Sequence, residues 1–194
     1  AIYAEVDVYI VDTPETSFRS PVRRLSNPNN RANVGDDHTP YSINAIKVDY
    51  ILDKEALVTV TDGGHVCIWQ TDALDKPPLI LNNHSSTWGI SIHADQGLVA
   101  VSANNWKVTI FNMVAITRDN PVFGKRKHPN VLRDKARVQL VGHDNNIPCI
   151  DFHSSGRYIA SCSIDQTCRI WDVKHQREIA RRRISTSEVE VQAW

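Results

Sequence analysis

Charge of one sign is missing from this chain: its 194 residues carry 22 Lys and Arg against 22 Asp and Glu, a formal net charge of zero. With no global field, any attraction to nucleic acid or to an anionic membrane has to come from a local patch. Long apolar runs are missing too. None approaches the roughly 18–20 residues of a membrane span, and no signal peptide is visible, so no membrane contact is expected. The four cysteines, Cys67, Cys149, Cys162 and Cys168, include no Cys-x-x-Cys pair, and neither a zinc site nor a disulfide framework is expected. They read as reduced thiols buried in strands as small apolar residues, which fits a nuclear or cytoplasmic protein. Glycine-rich phosphate loops, paired catalytic carboxylates and clusters at metal-ligand spacing are absent as well. The expectation is therefore a non-enzymatic chain with no catalytic residue, no metal and no cofactor.

What is present is a repeat. Residues 142–172 read GHDNNIPCIDFHSSGRYIASCSIDQTCRIWD, opening on Gly-His and closing on Trp-Asp. Between these pairs lie three apolar runs, Ile147–Phe152, Tyr158–Ala160 and Cys168–Trp171, split by a Ser-Ser-Gly turn and an Asp-centred turn. From Phe152 to Trp171 is nineteen positions, and Tyr50 to Trp69 and Ile92 to Phe111 repeat that count. Tyr50 to Ile92 and Phe152 to Trp194 are both 42, and Ile92 to Phe152 is 60, a 42 with an insertion of eighteen. A period of about 40–45 suits one four-stranded blade. The segment Val8–Asp12 matches Cys168–Asp172, so the chain is expected to open in the third strand of a blade, and to close on a first strand at Trp194.

The Gly-His to Trp-Asp segment resembles the WD-repeat signature. That resemblance implies an all-β WD-repeat β-propeller, with three blades and two partial blades over 1–194 and more blades completing the ring. Two segments fall outside the register. Residues 13–40 carry four prolines and few apolar residues, and are expected to form an inserted mobile loop. Residues 113–135 are expected to be a second, basic inserted loop that leaves between the third and fourth strands. In the second full blade the strands are expected at Gly89–Ile92, Leu98–Val101, Lys107–Phe111 and Arg137–Leu140.

His143, Ser161, Asp165 and Trp171 could be mistaken for a catalytic Ser-His-Asp group. The resemblance assigns them instead to a buried hydrogen-bonded relay that ties turn to strand. The other copies depart from it, with Tyr41 and Asn83 at the His position, Thr59 and Val101 at the Ser position, and Gly63 and Asn105 at the Asp position. Trp88 and Trp106 are expected on one rim, where an aromatic suits a protein partner. Lys125, Arg126 and Lys127 form a basic patch in the second insertion, and Arg181, Arg182 and Arg183 form another on an outermost strand; either could meet phosphate. Ser20-Pro21 and Arg23-Arg24-Leu25-Ser26 resemble kinase acceptor sequences. The remaining histidines, His38, His65, His84, His93, His153 and His175, are expected at the surface.

More narrowly, HSSTWGISIHADQGLVAVSANNWKVTIFN and GHDNNIPCIDFHSSGRYIAS resemble a fungal WD-repeat family linked to transcriptional control of ribonucleotide reductase genes. That implies a regulatory scaffold of the nucleus or cytoplasm that acts in the DNA-damage response. Two further partner classes stay open. Trp171-Asp172-Val173-Lys174 partly resembles the Trp-Asp-x-Arg of propellers that dock on a cullin ligase adaptor, making Asp172 and Lys174 candidate contacts, although Lys lacks the planar fork of Arg. The basic patches leave direct nucleic-acid binding as the other alternative.

Overall fold

A computed structural model describes residues 4–9, 21–30, 40–117 and 136–184. It is all-β, with three four-stranded antiparallel meanders in sequence. The first is β3 (Ile43–Ile51), β4 (Lys54–Thr61), β5 (His65–Gln70) and β6 (Leu79–Asn82). The second is β7 (Thr87–His93), β8 (Leu98–Ala103), β9 (Lys107–Asn112) and β10 (Arg137–Val141). The third is β11 (Cys149–Phe152), β12 (Tyr158–Cys162), β13 (Thr167–Asp172) and β14 (Arg177–Arg183). A two-stranded sheet, β1 (Glu5–Val8) with β2 (Arg23–Ser26), precedes them.

The sheets stack face to face, with the first strands β3, β7 and β11 side by side. β4, β5, β8 and β9 are buried on both faces, which is why they read as continuous Val, Ile and Leu runs rather than as an alternation. Val58, Val60, Val66 and Ile68 of the first blade meet Val99, Val101 and Phe111 of the second. The opposite face of the second blade, through Leu98, Ala100, Val108 and Ile110, meets Ile150, Ile159 and Trp171 of the third. Leu57, Cys67 and Trp69 on the other side of the first blade are covered by Leu25, Val6 and Val8 of the two-stranded sheet.

Several expectations need correction. The segment 13–40 is not a loop throughout: Arg23–Ser26 pairs with Glu5–Val8 and buries Leu25. One apolar residue inserted under Trp69 suffices for so short a strand, and a composition average over the segment hides it. Ser26 lies in that strand opposite Glu5, while Ser20 lies outside the described residues. The segment 113–135 opens with a single helical turn, α1 (Met113–Ile116), capped by the Asn112 side chain accepting from the Ala115 N–H at 3.1 Å. Its basic part lies outside the described residues, as does Trp194.

The repeat register also shifts in the first blade. Ile92 pairs with Val99, which pairs with Phe111, and Phe152 pairs with Ile159, which pairs with Trp171. In the first blade it is Val48, not Tyr50, that connects through Leu57 to Trp69. There the first hairpin stays paired down to Ile51 and Lys54 and turns on Leu52 and Asp53, whereas the second blade spends the same stretch on a wider turn. Sequence spacing counts residues and cannot tell strand from turn.

The cysteines divide by face. Cys67 is buried in the first blade, and burial pushes its thiol up to about 12 despite the nearby Thr59 hydroxyl, as befits an inert core residue. Cys149 and Cys162 are exposed and Cys168 is half-buried. Alternation along β11, β12 and β13 puts all three on the side of the third blade turned away from the second. His93 is buried rather than at the surface, its Nε2 2.9 Å from the Ser154 carbonyl oxygen. A carbonyl can only accept, so His93 donates there and joins the second blade to the first turn of the third.

Candidate functional site

In the third blade the structure brings His143, Ser161, Asp165 and Trp171 into one chain of hydrogen bonds. Trp171 Nε1–H donates to Ser161 Oγ at 2.8 Å, and Ser161 Oγ lies 2.7 Å from His143 Nε2. His143 Nδ1 lies 2.7 Å from Asp165 Oδ2. Asp165 also accepts from the Thr167 hydroxyl at 2.6 Å and from the backbone N–H groups of Asp144 and Thr167. Burial pushes the Asp165 carboxyl up, but these donors, the Thr167 hydroxyl first, outweigh it and hold the group well below the usual carboxylate range. Burial is the largest influence on the His143 pKa and, with the nearby Arg169 charge, lowers it against the raising effect of Asp165. The neutral ring then carries its proton on Nδ1, facing the carboxylate, and Nε2 accepts from Ser161. Every member is satisfied, as a buried polar set requires.

The arrangement has the connectivity of a catalytic triad without its access. Ser161 is 1% exposed, and its oxygen is already occupied by the indole N–H and its proton by His143. A reacting carbonyl has no approach to it. Around this set Arg169, also buried, donates to the Thr167 oxygen at 3.1 Å and to Glu178 at 2.9 Å, so the relay extends to the fourth strand. Sequence reasoning missed Arg169 and Thr167, although they follow Asp165 at alternate positions, from the turn into β13.

The other blades reach similar ends with other groups. Asn83 takes the His position, donating to Thr87 Oγ1 at 3.2 Å and accepting from Arg137 at 3.4 Å. Asn105 accepts from the Lys107 N–H at 3.3 Å, as Asp165 does from Thr167. Tyr41 stacks on His65, ring centroids 5.2 Å apart.

Trp88 and Trp106 are both exposed, at 43% and 49%. Trp88 occupies a bulge between Thr87 and Gly89, which turns its side chain outward. Gly89 is required there, since a Cβ would come 2.5 Å from Ser102 Oγ. Trp106 closes the turn between β8 and β9 with φ at 65°, in the left-handed region. Gly64 holds the matching place in the first blade at 82° and Gln166 in the third at 65°. The β8–β9 turn is tied to the start of β7 by Asn104 N–H donating to the Ser86 carbonyl at 2.9 Å, so both tryptophans belong to the same end of the second blade. Ile164, 58% exposed, stands in the corresponding turn of the third blade. It was not singled out from the sequence, where it falls within the Asp-centred turn and outside every apolar run.

Asp172 is turned inward, a correction to its expected role as a contact. It is buried and accepts from the His175 N–H at 3.0 Å, with the His175 ring at 3.0 Å and Arg157 at 3.5 Å. The His175 backbone and ring donors are the main reason its carboxyl is held down to about 2. Lys174 is exposed beside it. Arg181, Arg182 and Arg183 are exposed along β14, with Arg181 donating to Glu178 at 2.9 Å. Lys125, Arg126 and Lys127 lie outside the described residues. Among the described residues, no group of three His, Cys, Asp or Glu could hold a metal ion, and no helix is long and apolar enough to cross a membrane.

Residues 135–172 match the sequence family described as WD domain, G-beta repeat. The chain is 36% identical over 162 residues to a WD40 repeat-containing protein of Dictyostelium discoideum, an alignment covering 82% of this chain and 22% of that one. It is 31% identical over 163 residues to an uncharacterized WD repeat-containing protein of Schizosaccharomyces pombe, covering 82% and 32%. Protein HIR1 of Coccidioides immitis is 27% identical over 153 residues, covering 71% and 14%. The chain spans 22% and 32% of the length of the first two relatives.

Proposed function

The chain is a WD40-repeat protein, and from that premise we propose that it is a non-enzymatic scaffold whose protein partner docks on the rim carrying Trp88, Trp106 and Ile164. The observation that carries this reading is Trp106. A bulky residue in the left-handed region costs roughly 1–2 kcal/mol, and leaving a large aromatic in water forgoes about 1.5–3 kcal/mol of burial. The turn itself requires the left-handed conformation, which Gly64 and Gln166 adopt in the other two blades, but it does not require an indole there. A partner that covers the indole recovers the burial it forgoes in water.

In this reading the partner belongs to a regulatory complex of the nucleus or cytoplasm that controls ribonucleotide reductase genes after DNA damage. The resemblance of the second and third blades to that fungal family supports it. The test pairs capture with a transcript readout: Trp88→Ser and Trp106→Gly should lose the same partners without any fall in melting temperature. Cells carrying them should misregulate reductase transcripts after damage. Unchanged partners and transcripts in both variants would overturn the reading.

The cullin-adaptor alternative now rests on Lys174 alone, since Asp172 faces inward. An adaptor in the captured set that is lost on Lys174→Ala would favour it. Direct nucleic-acid binding would instead show affinity that falls steeply with salt and weakens when Arg182 and Arg183 are neutralised.

A further inference from the structure

Three of the four cysteines form a lateral row across the third blade. Cys149 pairs with Cys162, and Cys162 pairs with Cys168, in direct antiparallel register. Directly opposed residues share a face, so the three thiols line up on the side turned away from the second blade. The ladder fixes how close each pair comes. Ser163 N–H donates to the Thr167 carbonyl, so 163 and 167 form a hydrogen-bonded pair and the next, Cys162 with Cys168, is the non-hydrogen-bonded kind. Such pairs bring the Cα atoms to about 4.5 Å and the side chains closest together. That lies within the Cα span of about 4.4–6.8 Å that a disulfide accepts. The two sulfurs stand 2.9 Å apart.

The turn joining these two strands is held in place independently. Asp165, at its centre, is bonded to His143, Asp144 and Thr167, and Ser163 Oγ donates to the Asn145 carbonyl at 3.0 Å. The thiols therefore cannot drift apart without breaking the relay, and each presents the other at high effective concentration.

We propose that Cys162 and Cys168 are a redox modification site, interconverting between a dithiol and a cross-strand disulfide by exchange with a low-molecular-weight disulfide such as oxidised glutathione. One cysteine thiolate attacks a glutathione sulfur, forming a mixed disulfide and expelling one glutathione thiolate. The second cysteine gives up its proton and attacks the first cysteine's sulfur, expelling the other glutathione thiolate. One S–S bond breaks in the glutathione dimer and one forms in the protein. The two cysteines lose two electrons, and two molecules of reduced glutathione leave with the two protons. Burial, and then the neighbouring Cys168, push the Cys162 thiol up to about 11. The exchange is accordingly slow at neutral pH and quickens as the medium becomes alkaline.

The test equilibrates the full chain in reduced and oxidised glutathione at graded ratios, quenches with acid, alkylates the free thiols and maps peptides by mass. The expected result is loss of two of the four free thiols, a Cys162–Cys168 bridge reversed by dithiothreitol, and faster oxidation at pH 9 than at pH 7. Cys149→Ser and Cys67→Ser should keep the bridge and Cys168→Ser should lose it. Four free thiols in the most oxidising buffer, a predominant Cys149–Cys162 bridge, or bridges between chains only would each overturn the proposal. The map of the unsubstituted chain decides even if a variant does not fold.

Discussion

Ser161 sits where two obligations meet, accepting from the Trp171 indole and giving its proton to His143. Removing its oxygen leaves a buried N–H and a buried ring nitrogen without partners, each worth roughly 1–3 kcal/mol. Ser161→Ala is therefore expected to lower stability by about 2–6 kcal/mol, read as a lower urea midpoint at unchanged slope. His143 adds a pH dependence. Its folded pKa is lowered from 6.5, so at high pH both states hold a neutral ring and no stability is at stake. As pH falls through 6.5 the unfolded chain takes up a proton that the folded relay refuses, and stability drops until the folded pKa is passed. Asp165, depressed from 3.8, extends the loss further into acid with the same sign. Melting temperatures between pH 8 and pH 5 should fall, and fall less in His143→Asn. His65, lowered by burial, leaves part of the slope in that variant.

Turns rather than strands distinguish the blades from one another. Gly64 and Trp106 occupy the same place with the same backbone hand, so exchanging their chemistry should have opposite effects. At Gly64 a Cβ would come 2.7 Å from the Ser85 backbone N and O, and Gly64→Ala is expected to cost at least about 1 kcal/mol. Trp106→Gly relieves the strained conformation and should hold or raise the melting temperature while it abolishes partner binding. A stability loss with binding intact would show the indole to be structural. Strand positions were largely legible from the residues, because β-branched runs and the Ser-Ser-Gly and Asp-centred turns each have one good reading. The outer strand at Arg137 was legible for the same reason, beyond an insertion. Faces were not. Cys149, Cys162 and Asp172 sit in strands whose inward and outward sides depend on which sheet covers them, and a four-residue strand such as Arg23–Ser26 holds too little pattern to stand out from a proline-rich stretch.

At the scale of the whole chain, the first blade carries an unmatched surface. The two-stranded sheet covers Leu57, Cys67 and Trp69, the outer part of that face, but not the first strand. Ile46, Val48 and Tyr50, alternate residues on one side of β3, stay exposed at 51%, 53% and 52%, while the side of the same strand toward the second blade is closed by Ile51. Among the described residues β1 pairs with β2 alone, so its other edge has no strand partner on the face of the first blade that carries this row. An apolar row beside an unpaired strand edge is the combination that recruits another β-surface. The 194-residue chain on its own is therefore expected to self-associate, with sedimentation coefficients rising with concentration. Replacing Val48 by Thr and Tyr50 by Lys should suppress the association. Both changes keep the strand: Thr retains β-branching, and Lys at an exposed position discourages edge pairing. A chain that stays monomeric at high concentration without these changes would mean that the row is covered from within, and the expectation of further blades against it would lose its physical basis.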